Sequence, residues 1–380
     1  MAIVSPPSRP PRLARGKIWL FRCVALLFSL AVGLGLAEVA ARWLQLVPPV
    51  QPEADTAIVL YYTDPNGLIK LNPGWEGYVG FVKTEINANG FRDRIYTPQP
   101  PPGTVRVVVL GDSYTMGDAV PLEATYAKRL EAMLGERHRV EVMNCGVSAT
   151  NTANQYEILK EVMHDYHPHL VILSYNVNDF QWYPETRFER LVRAGYNYTV
   201  QPDGRVRLSR DFTLPQKAKL WMRNHSYLYR WLANVWDSWA KKDHAPTDYD
   251  HVTRVRTWAE SPGFAKSFEA LGKIRQLCDD QGVPLLVVIL PGLLDMPPTI
   301  ANMDDYPYRK EHERMHEQMR ACGVEFIDLL PDFAGQPTRP LEAHPFDRHY
   351  SAFGNELIAR AVLKHLEPRV AALEQRIGGQ

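Results

Sequence analysis

The chain has 380 residues, of which 43 are basic (Lys and Arg) and 43 acidic, so its formal net charge is zero. Without a bulk positive field the chain is not suited to general nucleic-acid binding, and we predict no nucleic-acid partner. Hydrophobic residues make up 45% and charged residues 23%, which is ordinary for a globular protein and argues against a disordered, collagen-like or coiled-coil chain. The four cysteines are too few for a disulfide scaffold.

The N-terminal segment combines a basic tail with an apolar run. Residues 18–37 form a hydrophobic stretch of 20 residues that is interrupted by one charge, Arg22. A spanning helix needs about 20 residues, and a long arginine side chain near its edge can reach the headgroups. Positive charge before the span favours a cytoplasmic N-terminus. We therefore predict a cytoplasmic tail at 1–17 and a transmembrane signal anchor at 18–43, with the catalytic domain outside the cytoplasm, in the periplasm or at the cell surface.

Two other interpretations of this segment stay open. Val39 and Ala41 resemble the small-residue cleavage site of a signal peptide, which would also export the chain but would leave no anchor. The third interpretation is a buried helix of a soluble protein.

Residues 44–104 are predicted to form a linker and an N-terminal β segment, and strands then alternate with helices. Such alternation predicts an α/β fold with a mostly parallel sheet and helices on both faces. The predicted strands are 105–110, 140–144, 170–175, 284–290 and 324–330, and the predicted helices are 121–135, 152–165, 264–280, 306–321 and 351–366.

Residues 180–262 interrupt this alternation and contain six of the nine tryptophans. A turn signal at 202–204 predicts a hairpin, and a helical stretch is expected near 215–241. We interpret the segment as a subdomain inserted between two parts of the hydrolase domain, 105–179 and 263–368. Its aromatic residues are expected to form a small core of their own or a surface that stacks on sugars.

Ligands of parallel sheets bind at the carboxyl ends of the strands, and polar residues fall at those ends here. Strand 105–110 runs into Ser113, whose hydroxyl needs a base to become a nucleophile. His349, after the last strand, can take that proton, and Asp347 can orient the imidazole. The end of strand 170–175 can place the Asn178 amide as a donor to a developing oxyanion. Turn-shaping roles are expected for Gly111 and Asp112.

These residues, in this order, resemble the SGNH/GDSL hydrolase superfamily. The resemblance is closest to membrane-anchored bacterial members with an N-terminal signal anchor and an Asn-x-x-Gly-Phe-Arg-Asp segment, here residues 87–93. It implies a flavodoxin-like three-layer α/β/α fold, the SGNH hydrolase fold, and ester hydrolysis or acyl transfer without metal or other cofactor. It also implies Ser113 as nucleophile, His349 as base and Asp347 as the acid behind it. The implied oxyanion donors are the Ser113 and Ala149 N–H groups and the Asn178 amide.

The sequence departs from the family pattern at three points. Ala149 stands where a glycine usually supplies the second oxyanion N–H, and Gly146 is the alternative donor. Asn176 replaces the glycine that usually opens the third block. Asp347 lies two residues before His349, a spacing found in only some members.

We predict a serine esterase that cleaves or transfers an O-acyl group, expected to be acetyl, on an extracytoplasmic substrate such as polysaccharide. Its partners would be an acylated small molecule or glycan and, through the N-terminal helix, the membrane. The alternative is a catalytically inactive SGNH-like binding or scaffold protein of the cell envelope.

One rival motif predicts different chemistry. Residues 312–316 fit the His-Glu-x-x-His pattern of zinc proteases, but their charged flanks are typical of a solvated helix face, and no metal site is predicted there. Cys278 and Cys322 each close a predicted helix before a strand, so a disulfide between them stays open.

Overall fold

The computed structural model describes most of the chain. The described residues are 15–47, 56–58, 60–63, 68–79, 81–181, 193, 195–202, 205–242, 251–293, 296–300, 303–344 and 347–378.

Helices and strands alternate through the body of the chain. The helices are α1 (Arg15–Trp43), α2 (Ser113–Met116), α3 (Tyr126–Gly135), α4 (Thr152–Tyr166), α5 (Leu214–His225), α6 (Tyr227–Lys242), α7 (His251–Glu260), α8 (Pro262–Asp280), α9 (Arg309–Ala321), α10 (Leu330–Phe333), α11 (Thr338–Leu341) and α12 (Ala352–Gly378). The strands are β1 (Thr56–Ile58), β2 (Tyr61–Thr63), β3 (Ile69–Leu71), β4 (Glu76–Val79), β5 (Val82–Glu85), β6 (Val105–Gly111), β7 (Val140–Gly146), β8 (Leu170–Tyr175), β9 (Asn197–Val200), β10 (Val206–Ser209), β11 (Leu285–Ile289), β12 (Phe326–Asp328), β13 (Glu342–His344) and β14 (Asp347–Tyr350).

A five-stranded sheet forms the centre of the body, in the order β12-β11-β8-β6-β7. All four of its strand pairings are parallel. Every residue of β6 and β8 is buried, which explains why these strands are predominantly apolar in the sequence, with Arg106 and Ser174 as the polar exceptions. The predicted α/β fold with a parallel sheet is therefore confirmed.

Two helix pairs flank this sheet. Helix α3 packs against α12, and α4 packs against α8. Helix α12 is longer than predicted, because it continues through Pro368 to Gly378. Val370 and Leu373 beyond the proline are buried, so tertiary packing extends the helix past Pro368 and past residue 366, where the predicted helix ends.

The segment predicted as an insertion contributes to two different parts of the molecule. Strands β9 and β10 form the expected hairpin, and β10 also pairs with β1 from the segment before the sheet. Helices α5 and α6, in contrast, fall with α1 into a separate compact unit, of which the structure describes residues 15–47 and 214–241. Trp221 and Trp236 are 62% and 64% exposed, so the expectation of a small buried core is wrong for these two residues.

Two further expectations concern cysteines and the N-terminal helix. Cys278 and Cys322 are free thiols, so the disulfide considered above is absent from the structure. The segment Lys17–Trp43 is long and apolar enough to cross a membrane.

Candidate active site

The predicted nucleophile follows the carboxyl end of β6, the strand that lies between β8 and β7 in the sheet. Gly111 ends this strand with φ +157°, and a Cβ there would lie 2.1 Å from Thr115 Oγ1, so only glycine fits. The carboxylate of Asp112 accepts the Tyr114 N–H at 2.9 Å and thereby caps α2. Ser113 is consequently the first residue of a short helix at the mouth of the sheet.

His349 reaches this point from the β13–β14 hairpin, which is antiparallel. Its Nε2 lies 2.8 Å from Ser113 Oγ, which is hydrogen-bond distance. The Tyr114 ring is centred 5.3 Å from the imidazole and packs beside it. The backbone of Asp347 opens β14, but its side chain lies outside the described residues. The geometry thus brings a hydroxyl and a base together, whereas the acid of a triad stays a prediction.

Asn178 lies at the same mouth, in a turn of 3₁₀ helix (Val177–Phe180) that follows β8. Its Nδ2 donates to Asp112 Oδ2 at 2.6 Å. Because the amide nitrogen carries two hydrogens, one N–H remains for another acceptor. Asn176 is the N-cap of this turn, since its Oδ1 accepts the Asn178 N–H at 2.9 Å and its own N–H donates to Asp179 Oδ2 at 2.9 Å. The departure at Asn176 therefore has a local structural role.

Two buried carboxyl groups, Asp112 and Asp179, stand behind the Ser113 turn. Burial raises the pKa of Asp112 above its usual range, although hydrogen bonds from Asn178 and the Tyr114 N–H oppose this shift. Burial, followed by the nearby Asp112 carboxylate, raises the pKa of Asp179 to about 8. The site therefore holds a buried pair of which Asp179 keeps its proton in mildly acidic solution.

The loop after β7 distinguishes the two candidate backbone donors. The Gly146 N–H already donates to Asn144 Oδ1 at 3.0 Å, and a Cβ at Gly146 would lie 2.2 Å from the Met116 nitrogen. Ala149 is exposed and has φ +66°, in the left-handed region that favours glycine. This conformation explains why glycine suits the position. Because the Gly146 N–H already has an acceptor, Ala149 is the stronger candidate for the second backbone donor.

The Asn-x-x-Gly-Phe-Arg-Asp segment supports the site in a way that sequence reasoning missed. The buried guanidinium of Arg92 donates to the carbonyls of Gly117 at 2.5 Å and Val120 at 2.7 Å, directly after α2. The Asp93 carboxylate accepts the Asn144 N–H of β7 at 2.8 Å. The segment thus ties the turn after Ser113 to the body. The signal in the sequence that could have indicated this support was the presence of Arg92 and Asp93 in a family motif that has no catalytic role assigned to it.

The His-Glu-x-x-His residues form a cluster with Asp328, at the end of β12. Both His312 Nδ1 and His316 Nε2 lie within hydrogen-bond distance of Asp328 Oδ2, at 2.9 and 2.7 Å. The ligand atoms of these three residues lie within 4.8 Å of one another, so the cluster could hold a divalent cation. Glu313, the residue that would act as base in a zinc protease, instead forms an exposed ion pair with Arg309 at 2.9 Å.

The hydrogen bonds of this cluster have a clear electrostatic effect. Burial by itself raises the pKa of Asp328, but the hydrogen bonds from His312 and His316 outweigh it and hold the pKa well below its usual range.

One protein-family model matches the part of the chain that contains this site. The model for the GDSL-like lipase/acylhydrolase family matches residues 109–357. Similar solved structures include TesA, at 13% identity and a TM-score of 0.39, covering 69% of this chain and 98% of that one. A second is an acetyl xylan esterase, AlAXEase, at 15% identity and a TM-score of 0.38, covering 69% of this chain and 100% of that one. A third is a catalytic mutant of Axe2, an acetylxylan esterase from Geobacillus stearothermophilus, at 14% identity and a TM-score of 0.36, covering 69% of this chain and 94% of that one. No curated protein sequence matches the chain.

Proposed function

Because the chain belongs to the GDSL-like lipase/acylhydrolase family, we propose that it is a serine esterase with Ser113 as its nucleophile. The observation that carries this proposal is the 2.8 Å separation of Ser113 Oγ and His349 Nε2. A neutral imidazole at this distance can take the hydroxyl proton as Oγ attacks an ester carbonyl.

The proposed reaction proceeds in two halves. Attack by Ser113 Oγ forms a tetrahedral intermediate, which collapses to an acyl-enzyme as His349 returns its proton to the leaving alcohol. A water molecule, deprotonated by His349, then attacks the acyl carbon; the bond from this carbon to Ser113 Oγ breaks, the carboxylic acid leaves, and Oγ takes back the proton from His349. If a sugar hydroxyl takes the place of water, the same steps transfer the acyl group. Asp347 is proposed to hold the imidazole in the tautomer that leaves Nε2 free to accept.

The proposed oxyanion donors are the N–H groups of Ser113 and Ala149 and the second N–H of Asn178. Asp112 is proposed as a positioning residue, because its carboxylate binds one Asn178 N–H at 2.6 Å and so fixes the direction of the other.

We further propose that the substrate is an O-acyl group, in the first place acetyl, on a polysaccharide outside the cytoplasm. The support is the family membership together with the exposed apolar helix that follows a basic N-terminal tail. In this proposal α1 is a retained signal anchor with its N-terminus in the cytoplasm.

Hydrolysis of p-nitrophenyl acetate by the full chain tests the esterase proposal. Ser113→Ala should abolish the rate while the circular dichroism spectrum stays that of the wild type. Ser261→Ala removes the N-cap of α8 in another part of the body and should keep the rate, which makes it a matched control. Equal rates for the wild type and Ser113→Ala would instead favour the inactive scaffold protein.

A further inference from the structure

The junction between α5 and α6 is bonded to the C-terminal turns of α1. Both carboxylate oxygens of Glu38 cap the N-terminus of α6, with Oε1 accepting the Tyr227 N–H at 3.0 Å and Oε2 the Leu228 N–H at 2.9 Å. Arg42, one turn further along α1, donates to the His225 carbonyl at the end of α5 at 2.5 Å. These bonds satisfy helix-end groups that would otherwise lack partners, so they fix the junction to this level of α1.

The position of Glu38 along α1 matches one edge of a bilayer. From Lys17 to Glu38 the helix rises about 32 Å at 1.5 Å per residue, and the hydrocarbon core of a bilayer is about 30 Å thick. Between Lys17 and Glu38 the only charged residue in the sequence is Arg22. A bilayer that places Lys17 at one interface therefore places Glu38, and the junction bonded to it, at the other.

The two helices expose a large apolar surface. Leu232, Val235 and Trp236 of α6 are at least 45% exposed and follow the i, i+3, i+4 spacing of a single helix face. In α5 no residue is buried, and Trp221 and Met222 are both exposed. Exposed apolar faces of this kind mark interaction surfaces, and tryptophan is typical of the membrane–water interface.

The charge of the same segment favours one kind of partner. Residues 214–242 carry six Lys or Arg residues and a single acid, Asp237, although the whole chain is neutral. An amphipathic helix with basic residues binds a surface of anionic headgroups.

We propose that α5 and α6 form an interfacial element, which lies in the headgroup region of an anionic lipid surface where α1 leaves the bilayer. Continuity with a helix that is itself apolar enough to span the membrane favours lipid over a second protein as the occupant of this face. The proposal rests on the membrane anchor proposed above, but it concerns a different part of the chain.

The test uses the full chain in vesicles of phosphatidylcholine and phosphatidylglycerol. An environment-sensitive NBD label is attached at Trp236→Cys, in a background in which the accessible thiols Cys23 and Cys322 are changed to serine. The matched control is the same label at Asn234→Cys, because Asn234 is also exposed but lies about 200° from Leu232 around α6. If the label at 236 perturbs folding, Trp221→Cys replaces it. Flotation of the chain with vesicles is measured in parallel.

We expect the label at 236 to shift to the blue and to be quenched by nitroxide-labelled lipid, while the label at 234 shows neither change. If the chain floats but the label at 236 remains in water, the interfacial element is refuted and the anchor stands. If that label shifts without quenching by lipid, protein covers the face and the proposal is again refuted. If the chain does not float, both the anchor and the interfacial element are refuted.

Discussion

His349 Nε2 lies 2.8 Å from Ser113 Oγ, although 236 positions separate the two residues in the chain. The contact arises because Ser113 follows β6 of the sheet and His349 lies on a hairpin that comes after the last strand of the sheet in the chain. The proposed acyl transfer follows from this contact.

Asn178→Ala is expected to lower kcat by ~100–1,000-fold, because one donor to the oxyanion is lost. The substitution should leave KM and the circular dichroism spectrum nearly unchanged, since the amide acts mainly in the transition state. Steady-state kinetics on p-nitrophenyl acetate measures both parameters. A kcat close to that of the wild type would remove Asn178 from the oxyanion site.

Arg92→Ala is expected to lower both stability and kcat. The change leaves the Gly117 and Val120 carbonyls without their buried donor, at a cost on the order of 3 kcal/mol in the free energy of unfolding. The turn that follows Ser113 also loses this support, which is why kcat should fall as well. The matched control is Arg94→Ala, which removes a half-exposed ion pair with Glu131 and should cost about 1 kcal/mol or less. Urea unfolding that gives equal losses for the two variants would show that Arg92 does not support the site.

Asp179 should make the protein less stable as the pH rises. Its pKa is raised to about 8 in the folded state, whereas an unfolded aspartate titrates near its usual pKa of 3.8. The folded state therefore holds a proton that the unfolded state loses, and this stabilising contribution disappears as the pH rises through that window. Asp179→Asn should reduce this slope, although the buried Asp112, whose pKa is also raised, still contributes to it. Urea midpoints at about pH 5 and about pH 8 measure it, and an unchanged slope in the variant would contradict the assignment.

Asp328 should have the opposite effect in acid. Hydrogen bonds from two histidines hold the pKa of Asp328 below the usual aspartate value of 3.8. Its stabilising contribution is therefore present above that value and is lost as the pH falls through the folded-state pKa. Asp328→Asn should therefore be less stable than the wild type at neutral pH and approach it in acid. Thermal melts at successively lower pH measure the difference in melting temperature between the wild type and Asp328→Asn. A difference that does not narrow as the pH falls would contradict this role of Asp328.

The sheet could be predicted from the sequence because buried parallel strands are continuous apolar runs. Strand β8 matches the predicted bounds at both ends, whereas β12 covers only Phe326–Asp328 of a predicted strand at 324–330. Since β12 is an edge strand paired only with β11, its ends depend on pairing register and on the helix that begins at Leu330.

The site was predictable to a different degree. Ser113, Asn178 and His349 follow strands in a recognisable order, so their common location could be expected. The clamp made by Arg92 and the link between Asn178 and Asp112 could not, because each depends on contacts between segments that are remote in the chain. Whether Trp221 is buried or exposed could not be decided from the sequence, since aromatic content alone does not distinguish the two, and the structure shows it exposed.

The most direct measurement is covalent trapping of the nucleophile with a fluorophosphonate, followed by mass spectrometry of the peptides. We expect the adduct to form on Ser113, to be absent from Ser113→Ala, and to form far more slowly in His349→Ala because the base is missing. Folded protein that is active on p-nitrophenyl acetate but carries no adduct on Ser113, or that is labelled equally fast without His349, would contradict the central claim.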